Sequence, residues 1–184
     1  MKKFFKSLML ISVCLGLSAT VNAKTFRYAT TGDILGLDPH ANNEGPTNTM
    51  KGNIYGRMLH RKADLSLEPD LATKWEKLDA NTWRFSLRRG VKFHNGNDFN
   101  ADDVLFSYKR QTQEASDMSF ALATIKQINK VDDYTVDLIT KGPDPILLLN
   151  MPMFYIVDKE WTEANNAFEV VRASGSTNFA NVNT

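Results

Sequence analysis

Residues 71–107 restrict the fold more than any other part of the sequence. Polarity alternates along residues 73–78 and again along residues 82–87, as expected for strands with one buried face. Between these runs, Asp79-Ala80-Asn81 has the composition of a tight turn, because Asp and Asn side chains hydrogen-bond their own backbone. The pattern predicts an antiparallel hairpin. Its buried face would carry Trp83, Phe85 and Leu87.

The same stretch continues into a helix. Residues 91–93 are a candidate third strand, and residues 94–98 have the Asn and Gly content of a loop. Asn100 then stands at the N-cap position of a helix. The carboxylates of Asp102 and Asp103 would face the positive end of its dipole. A third strand, a loop and a capped helix are therefore expected to follow the hairpin.

The rest of the chain supplies further elements of both kinds. A helix is predicted for residues 48–59, and residues 125–131 and 134–139 are predicted to pair around Asp132-Asp133. Helical spacing on the first of these places four apolar side chains in the core: Met50, Ile54, Tyr55 and Met58. Shorter elements are predicted as strands at 25–30 and 153–157 and as helices at 120–124, at 146–151 and after Asp158. The sequence indicates an α/β chain of the mixed α+β type.

Residues 1–23 have the features of a secretory signal peptide. A basic head precedes an apolar run at residues 8–17, which is shorter than the roughly 20 residues of a membrane span. Val21 and Ala23 then occupy the positions that a signal peptidase reads. We expect cleavage after Ala23 and a periplasmic location. A lipoprotein signal at Cys14 and an uncleaved anchor are the alternatives.

Cleavage would leave a chain of nearly balanced charge. The sequence has 22 basic and 21 acidic residues, and loss of Lys2, Lys3 and Lys6 would leave 19 basic residues and a net charge of −2. Such a balance gives no electrostatic footprint for nucleic acid. The only cysteine, Cys14, would leave as well, so the mature chain would have neither a disulfide nor a thiol nucleophile.

Few residues suggest catalysis. One group could be drawn as a metal or acid–base cluster: His94, Asp98, Asp102 and Asp103. A turn followed by a helix N-terminus needs the same residue types for its backbone, and we favour that interpretation. His40 and His60 lack a partner at the His-x3-His spacing of metal sites, and no Gly-x-Ser-x-Gly or phosphate-binding loop occurs. We predict no catalytic residue, no metal and no cofactor, and therefore a binding protein in preference to an enzyme.

Several segments resemble one known family. In chain order they are 67–72 (LEPDLA), Trp75, 82–88 (TWRFSLR), 90–94 (GVKFH) and 100–104 (NADDV). They are similar to the bacterial solute-binding proteins for dipeptides, oligopeptides and nickel that serve ABC importers. Flanking similarity extends from about Thr25 to the chain end. Members of that family are considerably longer than this chain.

The resemblance implies a two-lobed fold that closes over a ligand, with a small extra domain of antiparallel hairpins and helices on the first lobe. Residues 24–47 would form the first strands of that lobe, residues 48–170 the extra domain, and residues 171–184 a return segment. The implied function is capture of a peptide-like solute, or a nickel chelate, by a monomer that delivers it to an inner-membrane ABC permease. The alternative is a secreted enzyme or structural module built on the same domain.

The resemblance also implies which residues contact the ligand. Peptide-binding relatives hold their ligand as an extended strand through main-chain hydrogen bonds from the first lobe. The equivalent segment here is Asn43-Glu44-Gly45, with Thr31 and Gly32 nearby. Gly45 would let a ligand backbone approach closely. Phe120 aligns with an aromatic residue that faces the pocket in oligopeptide binders, and a core position is its alternative.

Overall fold

The computed structural model describes Thr25 and residues 32–172. The predicted signal peptide, Thr31, nearly all of the strand predicted at 25–30 and residues 173–184 of the predicted return segment lie outside the described residues. Within residues 32–172, no helix has both the length and the apolar character that crossing a bilayer requires.

Helices and strands alternate irregularly along the described chain, as the sequence predicts for a mixed α+β unit. In chain order they are α1 (Gly45–Ile54), β1 (Leu59–Arg61), β2 (Leu67–Pro69), β3 (Ala72–Lys77), β4 (Thr82–Leu87), α2 (Ala101–Gln111), β5 (Ile125–Asp132), β6 (Thr135–Thr140), α3 (Leu147–Asn150) and α4 (Lys159–Ala164). Short 3-10 turns occur at Ser119–Leu122 and Met151–Met153.

Both predicted hairpins are confirmed, and they share one antiparallel sheet in the order β3-β4-β6-β5. β4 pairs with β6 as well as with β3, so Phe85 lies opposite Trp75 on one side and Val136 on the other. Phe85, Leu87, Val136 and Leu138 are buried, and Trp83 is partly buried against them. A separate two-stranded sheet joins β1 to β2.

The opposite face of the sheet carries a polar row across its strands. Register aligns Glu76 with Arg84, Arg84 with Asp137, and Asp137 with Asn129. Arg84 binds both carboxylate oxygens of Asp137, at 2.8 Å each. The strict alternation between this row and the apolar row fixes the strand register, because a slip by one residue would exchange the two faces.

The core fills the space between the buried face of the sheet and α2. Asn100 caps α2 by accepting from Asp102 N at 2.7 Å, while Asp103 accepts from Asn100 N at 2.9 Å, so the predicted cap is confirmed. The cap sets the start of α2 and turns Val104 into the core, where it is fully buried. The segment from α3 to Ile156 adds four further buried side chains to this core: Leu147, Met151, Phe154 and Ile156.

The first helix differs from its prediction. α1 spans Gly45–Ile54 instead of residues 48–59, because Glu44 caps it through Thr47 N and Pro46 occupies its first turn. The predicted apolar stripe is also wrong for this helix. Its buried side chains are Thr47 and Lys51, whereas Ile54 is 37 % exposed. Met58 is buried as expected, but it lies beyond the end of the helix.

Two predicted strands are absent from the described residues. Residues 91–93 form only one bridge, Lys92 to Asp98, because turns at Gly90 (φ 70°) and Gly96 (φ 94°) leave too few residues for a ladder. Residues 153–157 form only the bridge between Arg57 and Tyr155. Their other main-chain groups bond individually to neighbouring segments, such as Ile156 N to the carbonyl of Gly56 at 3.0 Å.

Candidate functional site

Residues 37–42 form a loop in which all six main-chain carbonyls accept hydrogen bonds, and we call it the anchored loop. One bond is internal, and the other five come from α1, from Tyr55 directly after it and from the turn after α2. The donor and acceptor residues are Tyr55 to Leu37, Ala41 to Asp38, Lys51 to Pro39 and Asn42, Ser116 to His40, and Asp117 to Ala41. Because every acceptor is engaged, the path of this main chain is fixed by its surroundings.

A buried ion pair holds the side chains of the anchored loop. Arg110 of α2 donates to both oxygens of Asp38, at 2.8 and 2.7 Å, and to Nδ1 of His40 at 3.0 Å. His40 Nε2 lies 3.0 Å from the carbonyl of Tyr155. Arg110 also donates through Nε to the carbonyl of Ala167 at 3.1 Å. The guanidinium therefore joins the loop to two later parts of the chain.

The hydrogen bonds assign a neutral tautomer to His40. Arg110 can only donate and the carbonyl of Tyr155 can only accept, so Nδ1 accepts and Nε2 carries the proton. Burial, reinforced by the charge of Arg110, lowers the pKa of His40 to about 3. Burial alone would raise the pKa of Asp38, but the hydrogen bonds and charge of Arg110 outweigh it and hold that pKa below its ordinary value. The loop thus carries a carboxylate and a neutral imidazole at neutral pH.

Lys51 supplies a second buried cation to the anchored loop. Its ammonium donates to the carbonyls of Pro39 at 3.2 Å and Asn42 at 2.5 Å, and it lies 5.5 Å from the ring centre of Tyr155. Burial lowers the pKa of Lys51 to about 8, although nearby carboxylates, chiefly that of Asp38, attract its proton. Lys51 is therefore largely protonated at neutral pH while wholly removed from solvent.

The predicted ligand segment, residues 43–45, follows the anchored loop directly. Glu44 is the N-cap of α1, and its carbonyl also accepts from Asn48 N at 2.9 Å. The Asn43 side chain is exposed and accepts from Asn48 Nδ2 at 2.8 Å. A side chain built at Gly45 would meet no atom within 4 Å, so the space beside this residue is open.

The main chain of Asn43 differs from that of its neighbours. Its N–H and its C=O have no hydrogen-bond partner among the described residues, although the residues on both sides are bonded. An unbonded main-chain donor and acceptor at one fixed, solvent-exposed residue is what pairing with an extended peptide requires. The Asn43 backbone is therefore the strongest candidate contact on the described surface.

The other predicted site residues are only partly brought together. Gly32 lies beside the first turn of α1, where a Cβ on it would be 3.8 Å from Pro46 Cγ. Phe120 is 48 % exposed on the 3-10 turn, so its core alternative is wrong. Its turn follows Ser116, which binds the anchored loop. Thr31 lies outside the described residues.

A second candidate is a cleft of about 440 Å³ between α1, the 91–99 loop and α4, which also borders the anchored loop at Leu37. Its aromatic lining residues are Tyr55, Phe93, Phe99 and Trp161. Its charged wall residues are already engaged, since Lys92 pairs with Asp98 at 2.7 Å and Asp158 accepts from Asn95 and Asn97. A polar solute would find few groups here to orient it. The cleft is therefore a weaker candidate than the segment after the anchored loop.

Acidic residues also gather where α2 begins near α4. Asp103, Asp158 and Glu160 have oxygens within 4.8 Å of one another. Asp103 accepts from Asn100 N and Lys159 N, and Asp158 accepts from Trp161 N, so these carboxylates hold two helix ends. The structural interpretation of the 94–103 region from sequence is consistent with these contacts, since Asp98 pairs with Lys92 and Asp102 with Lys130.

Sequence analysis missed the residues that build the anchored loop. Arg110 lies on the core-facing side of α2, three residues after the buried Ser107, and Lys51 lies four residues after the buried Thr47. A cation at helical spacing from buried positions indicates a buried partner. The identity of that partner cannot be predicted from the sequence, because Asp38 lies 72 residues before Arg110.

Comparison with known proteins identifies the class of this chain and then its family. Solved structures that share its fold include a periplasmic binding protein and a dipeptide-binding protein. The chain belongs to the bacterial extracellular solute-binding proteins of family 5, whose middle-region profile matches residues 66–180. The predicted resemblance is confirmed, and so is the fold class.

Three relatives show the extent of the similarity. The dipeptide-binding protein of Escherichia coli is 32% identical over 176 residues, covering 83% of this chain and 33% of the relative. The heme-binding protein A of Haemophilus influenzae is 33% identical over 155 residues, covering 72% and 28%. A solved structure of the ABC transporter-associated periplasmic binding protein DppA from Helicobacter pylori, in complex with the peptide STSA, has 29% identity and a TM-score of 0.64, covering 73% and 31%. This chain spans about a third of the length of these two curated relatives.

Proposed function

We propose that this chain is part of the periplasmic receptor of an ABC importer, which captures a peptide-like solute and delivers it to the inner-membrane permease. Family membership supports the class of function. The observation that carries the proposal is that Asn43, an exposed residue directly after a loop whose carbonyls are all bonded, has no main-chain partner among the described residues. That arrangement suits main-chain recognition of an extended solute, which tolerates many side chains.

The proposed solute is a short peptide, with a nickel chelate as the second possibility. The names of the Escherichia coli and Helicobacter pylori relatives support a peptide. The Haemophilus influenzae relative is named for heme, so family membership by itself does not define the ligand. All three relatives are binding proteins, which supports a receptor over the alternative of a secreted enzyme.

The proposed contacts are Asn43, Glu44 and Gly45, with Thr31, Gly32 and Phe120 at their edge. One lobe can supply only part of a ligand's contacts, while the cost of immobilising the ligand must still be met. We therefore expect weak peptide binding by this chain and no tight, stoichiometric binding in calorimetry. A form that includes a second lobe is expected to bind tightly.

A titration of the 184-residue chain with Ala-Ala, followed by amide NMR, tests the proposal. Chemical-shift changes are expected at residues 43–45 and Gly32, with saturation only at millimolar peptide. The matched control ligand is Ala-Ala methylated on its peptide nitrogen, which loses the main-chain donor and should give much smaller changes. A matched protein control is Asn43→Ala, which keeps the main chain and should keep the response. Equal responses to both ligands, or changes confined to the aromatic cleft, would contradict main-chain recognition by this segment.

We also propose that the mature chain begins at Lys24 in the periplasm, as the signal-peptide pattern of residues 1–23 predicts. Intact-mass spectrometry of the periplasmic fraction measures this directly. The expected mass corresponds to residues 24 onward. A lipid-modified Cys14 or a retained Met1 would refute this processing.

A further inference from the structure

The anchored loop ends next to the residue that the proposed function needs in a fixed place. The Asn42 carbonyl is held by Lys51, and Glu44 is held as the N-cap of α1 through Thr47 N. Asn43 is therefore fixed on both sides, while its own N–H and C=O have no partner among the described residues. The bonds of Asn42 and Glu44 therefore restrict the motion of Asn43 without using the main-chain groups of Asn43 that would contact a solute.

We propose that Lys51, Tyr55 and Arg110 are positioning residues that hold the anchored loop and thereby place the Asn43 main chain for contact with a solute. This inference rests on the proposed function, because it assigns a purpose to residues that would not touch the ligand. It concerns the orientation of the segment and adds no new contact to it.

The geometry makes the loop and α1 one unit. Tyr55 lies just beyond the last residue of α1 and donates to Leu37 at 2.8 Å, whereas Lys51 lies one turn earlier and donates to Asn42. The two donors therefore bind the first and the last residue of the anchored loop. α1 begins at Gly45, two residues after Asn43. The same helix also binds the residue before Asn43, because Lys51 donates to the carbonyl of Asn42.

Arg110 prevents this unit from shifting relative to the rest of the described chain. It is fully buried, and it joins Asp38 to the carbonyl of Ala167 through separate nitrogens. A planar guanidinium with bonds in two directions sets orientation as well as distance. Ser116 adds a fourth point of attachment through its 2.7 Å bond to the carbonyl of His40.

Stability alone is a poor explanation for these charges. Removing a lysine and an arginine from water is costly, and apolar side chains of similar volume commonly stabilise a core at least as well as a buried ion pair. What apolar side chains cannot do is bind main-chain carbonyls and so fix the course of a loop that lacks regular secondary structure. The cost is understandable if a defined loop conformation is what the site requires.

Two mild variants test the role without leaving a charge buried. Tyr55→Phe removes the bond to Leu37. Ser116→Ala removes the bond to His40 and also the one that Ser116 Oγ accepts from Met118 N. Native-state hydrogen exchange should show the amides of His40 and Ala41 exchanging about fivefold faster in each variant, since one hydrogen bond is worth about 1 kcal/mol. Exchange of the β4 and β6 amides should not change.

Tyr108→Phe is the matched control, because the Tyr108 hydroxyl also donates to one carbonyl, that of Ile125, at 3.1 Å. It should leave exchange in the anchored loop unchanged. The second measurement is the Ala-Ala titration, in which Tyr55→Phe and Ser116→Ala should each weaken the shift changes at residues 43–45 several-fold and Tyr108→Phe should not. Lys51→Met should give the largest effect in both measurements if it folds, and the two mild variants decide the matter if it does not.

The possible outcomes separate the two proposals. If the unaltered chain gives no shift changes with Ala-Ala, the proposed function fails, and the positioning inference fails with it. If the unaltered chain responds, and loop exchange rises without loss of that response, the anchored loop is structural only and the inference is wrong. Unchanged loop exchange in both mild variants would also overturn it.

Discussion

Arg110 and Asp38 form a bidentate ion pair across 72 residues of sequence, with N–O distances of 2.8 and 2.7 Å and side chains that are 0 % and 2 % exposed. The pair connects the loop before α1 to the last turn of α2. Those two parts of the chain are predicted to belong to different domains, the ligand-binding lobe and the extra domain. The pair therefore ties the candidate site to the sheet-containing core.

Arg110→Met should destabilise the chain by about 3–5 kcal/mol, because it leaves the Asp38 carboxylate buried without its partner. The measurement is the free energy of unfolding in urea. Arg84→Met is the matched control, since Arg84 is also bidentate to Asp137 but lies on the solvent side of the sheet, and it should have little effect. The double variant Arg110→Met/Asp38→Leu should recover much of the loss. A double variant as unstable as the single one would show that the charge left behind is not the cause.

Phe85→Ala should cost about 3–5 kcal/mol, because it opens a cavity where the sheet meets α2. Phe85 is fully buried and is flanked by Trp75 and Val136 in the sheet. Urea unfolding again measures the effect. Leu78→Ala is the comparison, because Leu78 is 46 % exposed next to the same hairpin turn and should change stability much less. Similar losses for both variants would mean that the buried face of the sheet has been wrongly assigned.

Lys51 should make the free energy of unfolding depend on pH in the alkaline range. Its pKa is about 8 in the folded chain against 10.5 as the ordinary value, and it faces the carboxylates of Asp38, Glu44 and Asp117, the neutral His40 and the ring of Tyr155. Between these pH values the unfolded chain binds more protons, so the contribution of Lys51 to stability rises with pH. The cost of burying its charge is fully present below pH 8.

The test compares the unaltered chain with Lys51→Met by urea unfolding at several pH values. The difference in unfolding free energy should shift in favour of the unaltered chain by up to roughly 3 kcal/mol between pH 8 and pH 10.5. The lost hydrogen bonds to Pro39 and Asn42 add an offset that does not vary with pH. A difference that stays constant over this range would mean that Lys51 titrates normally.

Asp103 should produce the opposite dependence at acidic pH. Burial raises its pKa to about 6, against hydrogen bonds from Lys159 N and Asn100 N that favour the charged form, while the charges of Glu160 and Asp158 raise it further. Between pH 3.8 and 6 the folded chain binds more protons, so the stability from this group is fully present below pH 3.8 and is lost as pH rises through 6. Relative to Asp103→Asn, the unaltered chain should lose stability across this window, measured by thermal unfolding. A parallel pH profile for the two proteins would contradict the shift.

The sequence by itself determined the two hairpins of the sheet. Alternation in residues 73–87 and 125–139, with Asp and Asn at the turns, was enough for both hairpins, and the Asn100 cap was enough for the start of α2. These signals are local, because a strand's faces and a helix's first turn are set by neighbours a few residues apart. The motif resemblance correctly predicted the family and the fold class. Several of its segments lie in these same hairpin and helix-cap elements, so they too are local signals.

Only the tertiary structure decided the ends of α1, the loss of two short strands and the anchored loop. α1 buries Lys51 in place of an apolar stripe because a loop with carbonyls to satisfy packs against it, and helical periodicity contains no record of that partner. The 153–157 segment is apolar enough for a strand. Its main-chain groups bond individually to separate residues, however, and do not pair along the edge of another strand. Asp38, His40 and Arg110 look like solvated residues in the sequence. Folding brings them together because each buried polar group must find a partner, and that partner lies far along the chain.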